Sequence, residues 1–300
     1  MKKYLVNFAT PNFYWSQKRL NESGLKYGID EVRSYNKEMI KKTSLYKKNK
    51  WILDQKRGGG YWLWKPYIIL DTMEKINEGD VIFYSDSAIE IVNNLDVLIP
   101  LCKSQKGILL FGIDNINKIW TKKDCFVLME CDSEKYWNAK QVHASFQVYM
   151  KNKKSVKFLK EYLYYCKNKN IISDLPNICG KENLPGFKEN RHDQSVLTNL
   201  AVKYNIHLFR DPSQGGNSKK MEEYRVPNEW LRYPYTYEET PDRSSPYPTI
   251  INHHRQIRAS AKMYHAINVK LPRPFRIVIK KIVDLIHEDY RDKIVRNKKN

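Results

Sequence analysis

The sequence predicts an α/β fold in which a mostly parallel sheet is flanked by helices. Two observations carry that expectation. Short apolar runs alternate along the chain with longer segments of helical period, the order that strand–helix–strand units produce. The run Val81-Ile82-Phe83-Tyr84 is nearly continuous in its apolarity, as a central strand buried on both faces requires. At 300 residues the chain can bury one sizeable core and a short appendage besides.

Residues 4–9 suit a buried first strand, and residues 15–25 a helix that Gly28 ends. Residues 31–35 suit a second strand. A polar, lysine-rich stretch, 37–50, leads to Arg57-Gly58-Gly59-Gly60, which is expected to be a loop because three consecutive glycines cost a helix too much backbone entropy. Pro66 is expected to open a helix over 67–76, with Ile68, Ile69, Leu70 and Met73 turned inward. Gly79-Asp80 then turns the chain into the strand 81–84. Further strands are expected over 107–111, 144–150 and 206–209. Residues 155–166 read as an amphipathic helix with Val156, Leu159, Leu163 and Tyr164 on one side, and residues 192–203 as another helix. From 211 to 248 the composition shifts to Pro, Gly, Ser, Tyr and Glu, which marks a long ordered loop region. No internal repeat or low-complexity tract is present.

With 41% hydrophobic and 13% aromatic residues, the composition excludes a disordered chain. No run reaches the roughly 18 uninterrupted apolar residues of a spanning helix. The opening residues form too short an apolar run for a secretory signal and lack a cleavage site. The five cysteines (Cys102, Cys125, Cys131, Cys166 and Cys179) are odd in number and include no Cys-x-x-Cys pair. They read as reduced thiols of a cytosolic protein, not as a disulfide frame or a zinc site. The formal net charge of +20 favours acidic partners: nucleic acid, anionic lipid or phosphorylated small molecules. Part of it reads as plain solvated lysine in a chain rich in Lys, Asn and Ile.

The residues that carry chemistry concentrate between Arg57 and Ala88. Ligands of an open α/β sheet bind beyond the carboxyl ends of its strands, and Asp86 stands just past the run that ends at Tyr84. A carboxylate there, beside small Ser87 and Ala88, suits a hard divalent ion that also binds a diphosphate. An Asp after a strand equally well caps a turn or helix. Lys65, at the start of a helix with free backbone donors, is placed to meet the same phosphates. The glycines permit close backbone approach, while Tyr61, Trp62 and Trp64 either offer stacking faces for a base or sugar or fill the core.

The block from Arg57 to Ala88 resembles a segment of bacterial polysaccharide glycosyltransferases, which carry Gly-Tyr-Trp-x-Trp-Lys-Pro before a Gly-Asp and a Tyr-x-Asp-Ala strand end. The resemblance implies a GT-A-like, Rossmann-like fold and a place in capsule or lipopolysaccharide biosynthesis. In the wider superfamily that strand end is an Asp-x-Asp motif, which chelates manganese or magnesium together with the donor diphosphate. Here the pair is incomplete. Tyr84 holds the first position if Asp86 is the second acid, and Ala88 holds the second if Asp86 is the first.

Further roles follow from the same resemblance. The segment Arg191-His192-Asp193-Gln194-Ser195 is similar to an Asp-Gln element whose Asp lies near the donor sugar or acceptor hydroxyl. That implies a catalytic Asp193, which orients hydroxyls or takes a proton, although helix capping would use the same residue. Gln141 and Ser145 resemble residues of a strand that lines the pocket floor, and with Gln194 they are the implied sugar and acceptor contacts; a satisfied core strand is the competing reading. Thr10, after the first strand, lies where such enzymes place the nucleotide base, and Ser87 flanks the phosphates. The segment Ile250-Ile251-Asn252-His253-His254-Arg255 is similar to one whose late His completes the metal shell. Adjacent strand residues point opposite ways, so either His253 or His254 is the implied ligand, with His254 preferred; two ligand-free surface histidines are the alternative. Arg255 would neutralise the departing diphosphate.

Beyond Arg255 the chain is strongly cationic, and Phe275, Ile279, Ile282, Val283 and Ile286 recur at helical spacing. This divides the chain into a catalytic domain, 1–256, and a basic amphipathic helical tail, 257–300. The tail suits an anionic membrane surface where lipid-linked acceptors reside, or packs on the catalytic domain. The expectation is a cytoplasmic enzyme, peripheral on the inner face of the cell membrane. It would take a sugar from a nucleoside diphosphate sugar to a surface-polysaccharide or lipid-linked glycan acceptor, with Mn2+ or Mg2+. Sugar phosphotransfer or nucleotidyl transfer would use similar residues, and an inactive relative would have lost the second acid. A nucleic-acid-binding protein is the non-enzyme alternative, but no zinc-finger spacing, helix-turn-helix or ribonucleoprotein motif supports a specific nucleic-acid partner.

Overall fold

The structure, a computed structural model, describes residues 1–216 and 247–254. Nine strands lie among them: β1 (Lys3–Ala9), β2 (Glu31–Asn36), β3 (Val81–Ser85), β4 (Ile89–Ile91), β5 (Ile108–Ile116), β6 (Lys140–Val142), β7 (Phe146–Met150), β8 (Leu208–Arg210) and β9 (Ile251–His253). The longer helices are α1 (Tyr14–Lys26), α2 (Trp64–Lys75), α3 (Lys153–Cys166) and α4 (Asp193–Lys203).

Seven strands make one sheet in the order β2-β1-β3-β7-β5-β6, with β8 also on β5. β1 is parallel to β2 and β3, and β5 to β8. β7 runs antiparallel between β3 and β5, and β6 antiparallel on β5. Hence β1, β2, β3, β5 and β8 point one way and the sheet is mostly parallel, as expected, with the reversed β7 near its middle.

Successive side chains of a strand face opposite sides, and that alternation builds two cores. Tyr4, Val6, Phe8, Ile82 and Tyr84 join Ile68, Met73, Phe158, Leu159 and Val196 on the face covered by α2, α3 and α4. Leu5, Val81 and Phe83 join Leu20 of α1, with Ile89, Ile91 and Ile251, on the other. β4 and β9 form a separate antiparallel pair that sets Ile89 opposite His253.

Several elements differ from expectation. α2 begins at Trp64, two residues before Pro66, because a proline in the first turn has no helical hydrogen bond to lose. The lysine-rich stretch folds into three short helices, Lys37–Lys41, Ser44–Lys48 and Lys50–Leu53. Asn36 and Thr43 cap the first two through the Met39 and Tyr46 N–H groups, and Ile40, Leu45, Ile52 and Leu53 enter the core. In α3, Tyr164 is 65% exposed, whereas Phe158, Tyr162 and Cys166 form the buried face. Four-residue steps stay on one side of a helix, and position 164 lies nearly opposite position 162. Asn152 and Ser155 close a capping box at the start of this helix. β4 and β6 are too short to show a period. All five cysteines are free thiols, four of them buried.

Residues 1–253 form one compact unit and residues 254–300 a second. His254 is the described residue of the second. The expected apolar positions of the tail and Arg255 lie outside the described residues, as does most of the 211–248 loop region. Among the described residues no helix is long and apolar enough to cross a membrane.

Candidate functional site

The carboxyl edge of the parallel strands gathers the chemistry. Asp86 follows β3, Thr10 follows β1, and Ser145 precedes the reversed β7, so its carbonyl accepts the Asp86 N–H at 2.8 Å. α2 and α4 both begin near this edge. Lys65, in the first turn of α2, and Asp193, the first residue of α4, meet with Nζ 2.8 Å from Oδ2. An acid at a helix N-terminus is favoured by the helix dipole.

The Lys65 ammonium also lies 3.5 Å from Asp86 Oδ1 and donates to the Ala144 carbonyl at 3.2 Å. Asp193 Oδ2 accepts from Tyr162 at 3.0 Å, and Asp86 Oδ1 from Tyr84 at 2.5 Å. A continuous polar chain therefore runs Tyr162–Asp193–Lys65–Asp86–Tyr84. Its members differ in exposure: the Lys65 and Asp193 side chains are 3% and 5% exposed, the Asp86 side chain 32%. Among the described residues no hydrogen bond is made to Asp86 Oδ2.

The electrostatics follow from burial. Desolvation works to lower the Lys65 pKa, but Asp193 and Asp86 outweigh it and hold the ammonium above its ordinary value. Desolvation raises the Asp193 carboxyl, against the pull of Lys65. The Tyr84 and Tyr162 hydroxyls are driven well up by burial and then by their carboxylate neighbours, so both act as donors.

The aromatic block sits beside this chain. Trp64 stacks on Phe8 with ring centroids 4.0 Å apart and donates from Nε1 to the Gly58 carbonyl at 2.9 Å. Gly59 faces Thr10 and Trp64, and a crevice there is lined by Phe8, Lys37, Ile40, Tyr46 and Leu53. Tyr61 is buried and packs against the His192 ring, 4.9 Å away. Ser87 is buried and its hydroxyl donates to the Phe8 carbonyl, which ties the strand end to β1.

The remaining expected contacts divide into two groups. Gln141 is fully buried; its Nε2 faces Asn117 and Thr121, and its Oε1 accepts from Gln194 at 2.8 Å. Gln141 and Gln194 therefore meet each other. Ser145 meets the His143 ring at 3.1 Å, and His143 Nε2 lies 2.9 Å from His253 Nε2.

For a metal ion, the described residues contain no cluster of three or more His, Cys, Asp and Glu side chains. One free Asp86 oxygen nevertheless suits magnesium or manganese, hard ions that take one or two carboxylates and draw the rest of their shell from water and substrate phosphate. His253 shares its ring nitrogen with His143, and His254 belongs to the second unit.

Sequence reasoning assigns no site role to Tyr84, Tyr162 or His143. Tyr84 was within reach: positions two apart on a strand share a face, so Tyr84 and Asp86 must lie side by side. Tyr162 and His143 come from distant segments, and no local signal marks them.

No protein-family model and no curated relative matches the chain. Solved structures similar to it include mouse xyloside xylosyltransferase 1, at 7% identity over 85% of this chain and 97% of that one, with a TM-score of 0.45. A glycosyltransferase involved in the glycosylation of the major capsid of PBCV-1 is similar at 9% identity over 88% and 98%, TM-score 0.43. The bifunctional glycosyltransferase WbbM is similar at 10% identity over 71% and 40%, TM-score 0.42.

Proposed function

We propose that this protein is a glycosyltransferase that moves a sugar from a nucleoside diphosphate sugar to a surface-polysaccharide or lipid-linked glycan acceptor. The observation that carries this reading is Asp86: a carboxylate at the carboxyl edge of the sheet, held through one oxygen and open at the other. The resemblance of the Arg57–Ala88 block to bacterial polysaccharide glycosyltransferases supports the same reading. Asp86 would hold a manganese or magnesium ion, whose contribution when bound is to offset the charge of the departing diphosphate. The backbone beside Gly59 and Thr10 would receive the base. Asp193 would act from behind Asp86, orienting the donor sugar or acceptor hydroxyl. We assign the protein to the cytoplasmic side of the membrane that carries the acceptor.

The test is a thermal-shift screen of UDP, GDP, CDP and dTDP with and without manganese. One nucleotide is expected to raise the melting temperature by several degrees, since a ligand at 100 times its Kd adds about 2.7 kcal/mol. Asp86→Asn is expected to remove the manganese-dependent part of that shift and to slow transfer at least about a hundredfold, roughly 2.7 kcal/mol of barrier. If no nucleotide stabilises the protein, or Asp86→Asn transfers sugar at the wild-type rate, the reading is wrong.

A further inference from the structure

Lys65 carries a further inference, which rests on the transferase reading for its functional half and on the structure alone for the rest. An ammonium has three protons to donate. Three acceptors lie around the Lys65 ammonium: Asp193 Oδ2 at 2.8 Å, Ala144 O at 3.2 Å and Asp86 Oδ1 at 3.5 Å. The side chain is 3% exposed and lies over the Tyr84 ring, with Nζ 5.4 Å from its centroid. With these three acceptors within 3.5 Å and so little exposure, the ammonium is already partnered and shielded from a phosphate oxygen. The acceptors come from the start of α4, from the turn before β7 and from the end of β3. One cation thus joins the main sheet to the first turns of two helices.

The geometry points to Lys65 as a positioning residue: its ammonium is a fixed internal cation that clamps Asp193 to Asp86 and keeps the free Asp86 oxygen at the mouth of the site, without ligating the donor phosphates. Tyr84 and Tyr162 complete the clamp from either end. Asp193 then has a second role beyond any contact with sugar, as the buried counter-charge that keeps Lys65 in place.

The test is a double-mutant cycle on the full chain with Lys65→Met, Asp193→Asn and both together. Removing one partner of a buried ion pair leaves an uncompensated charge, so Lys65→Met is expected to lower the folding equilibrium constant roughly a hundredfold or more. The double variant is expected to recover most of that loss. A lysine held ready for phosphate would behave oppositely: Lys65→Met would cost nothing without ligand, and Asp193→Asn would not rescue it. That outcome overturns the clamp.

The double variant keeps the net charge of the pair, so nucleotide affinity in it reports direct contact and not the long-range field. With metal chelated, whichever of UDP, GDP, CDP and dTDP stabilises wild type is expected to bind it within about threefold of wild type; weakening of tenfold or more, the size of a lost charged hydrogen bond, overturns the proposal. Donor turnover supplies the readout that a merely structural lysine would not move. Relative to Asp193→Asn, the double variant is expected to lose at least tenfold in kcat with KM unchanged; equal turnover in the two overturns the positioning role. Should none of UDP, GDP, CDP and dTDP bind wild type with or without manganese, the transferase reading fails, and the folding cycle alone decides the clamp.

Discussion

At the residue scale, His192 makes the stability of the fold depend on pH. Its backbone sits at φ 53°, ψ −117°, a conformation an L residue holds only when its surroundings impose it. Here they do so: the ring packs against both Tyr61 and Trp62, and Nδ1 donates to the Ile172 carbonyl at 2.8 Å. Burial pushes its pKa down to about 4, against the pull of Asp174, 3.7 Å from Nε2. The unfolded chain therefore binds a proton between about pH 6.5 and 4 that the folded chain refuses. Stability is full above that window and falls as pH drops through it, by about 3 kcal/mol at most. Urea unfolding of wild type and His192→Asn across this range checks it. Asn tolerates the backbone, so the variant is expected to lose the step; identical slopes in the two proteins would remove His192 as its source.

At the element scale, the segment between the Lys50–Leu53 helix and α2 is a left-handed turn. Gly58, Gly59, Gly60, Tyr61 and Trp62 have φ of 59°, 60°, 111°, 49° and 58°. A left-handed residue with a side chain costs roughly 1–2 kcal/mol, so Tyr61 and Trp62 need compensation. Their contacts with the His192 ring, each worth about 0.5–1.5 kcal/mol for an aromatic pair, are of the right size to provide it. The glycines separate into two cases. A Cβ on Gly59 would meet nothing closer than 3.7 Å, whereas one on Gly60 would stand 2.7 Å from Leu53 Cα. Gly59→Ala is therefore expected to cost about 1 kcal/mol, and Gly60→Ala about 2–3 kcal/mol, because backbone must also move. Denaturant midpoints would show the difference, and equal costs would mean that Leu53 gives way freely.

At the scale of the whole molecule, charge acts against the fold. A net charge of +20 repels itself in the compact state. The buried Lys65 pair is shielded from the solvent, but most other ion pairs among the described residues have an exposed partner, and such pairs contribute little. Added salt shortens the range of the repulsion from ~30 Å at 0.01 M to ~10 Å at 0.1 M. The melting temperature is expected to rise by a few degrees between those concentrations, measured by calorimetry. A fall would mean that attractive surface pairs outweigh the net charge.

The sequence by itself determined the strands and helices that set the scaffold, and it marked Asp86 at the end of β3. Those features are local: a run of apolar residues, a 3.6-residue period, a proline or glycine stop. What it expected of Lys65 was a role at the phosphates, since a lysine at a helix start reads that way on local grounds. Only the tertiary structure decided that Asp193 and Ala144 converge on that ammonium, that Gln141 spends its amide on Asn117 and Gln194, and that His253 meets His143. Each of these contacts joins segments far apart in the chain. They depend on strand order, on the reversal of β7 and on which oxygen is left facing water, and a side chain's chemistry follows from its partners and burial more than from its neighbours in sequence.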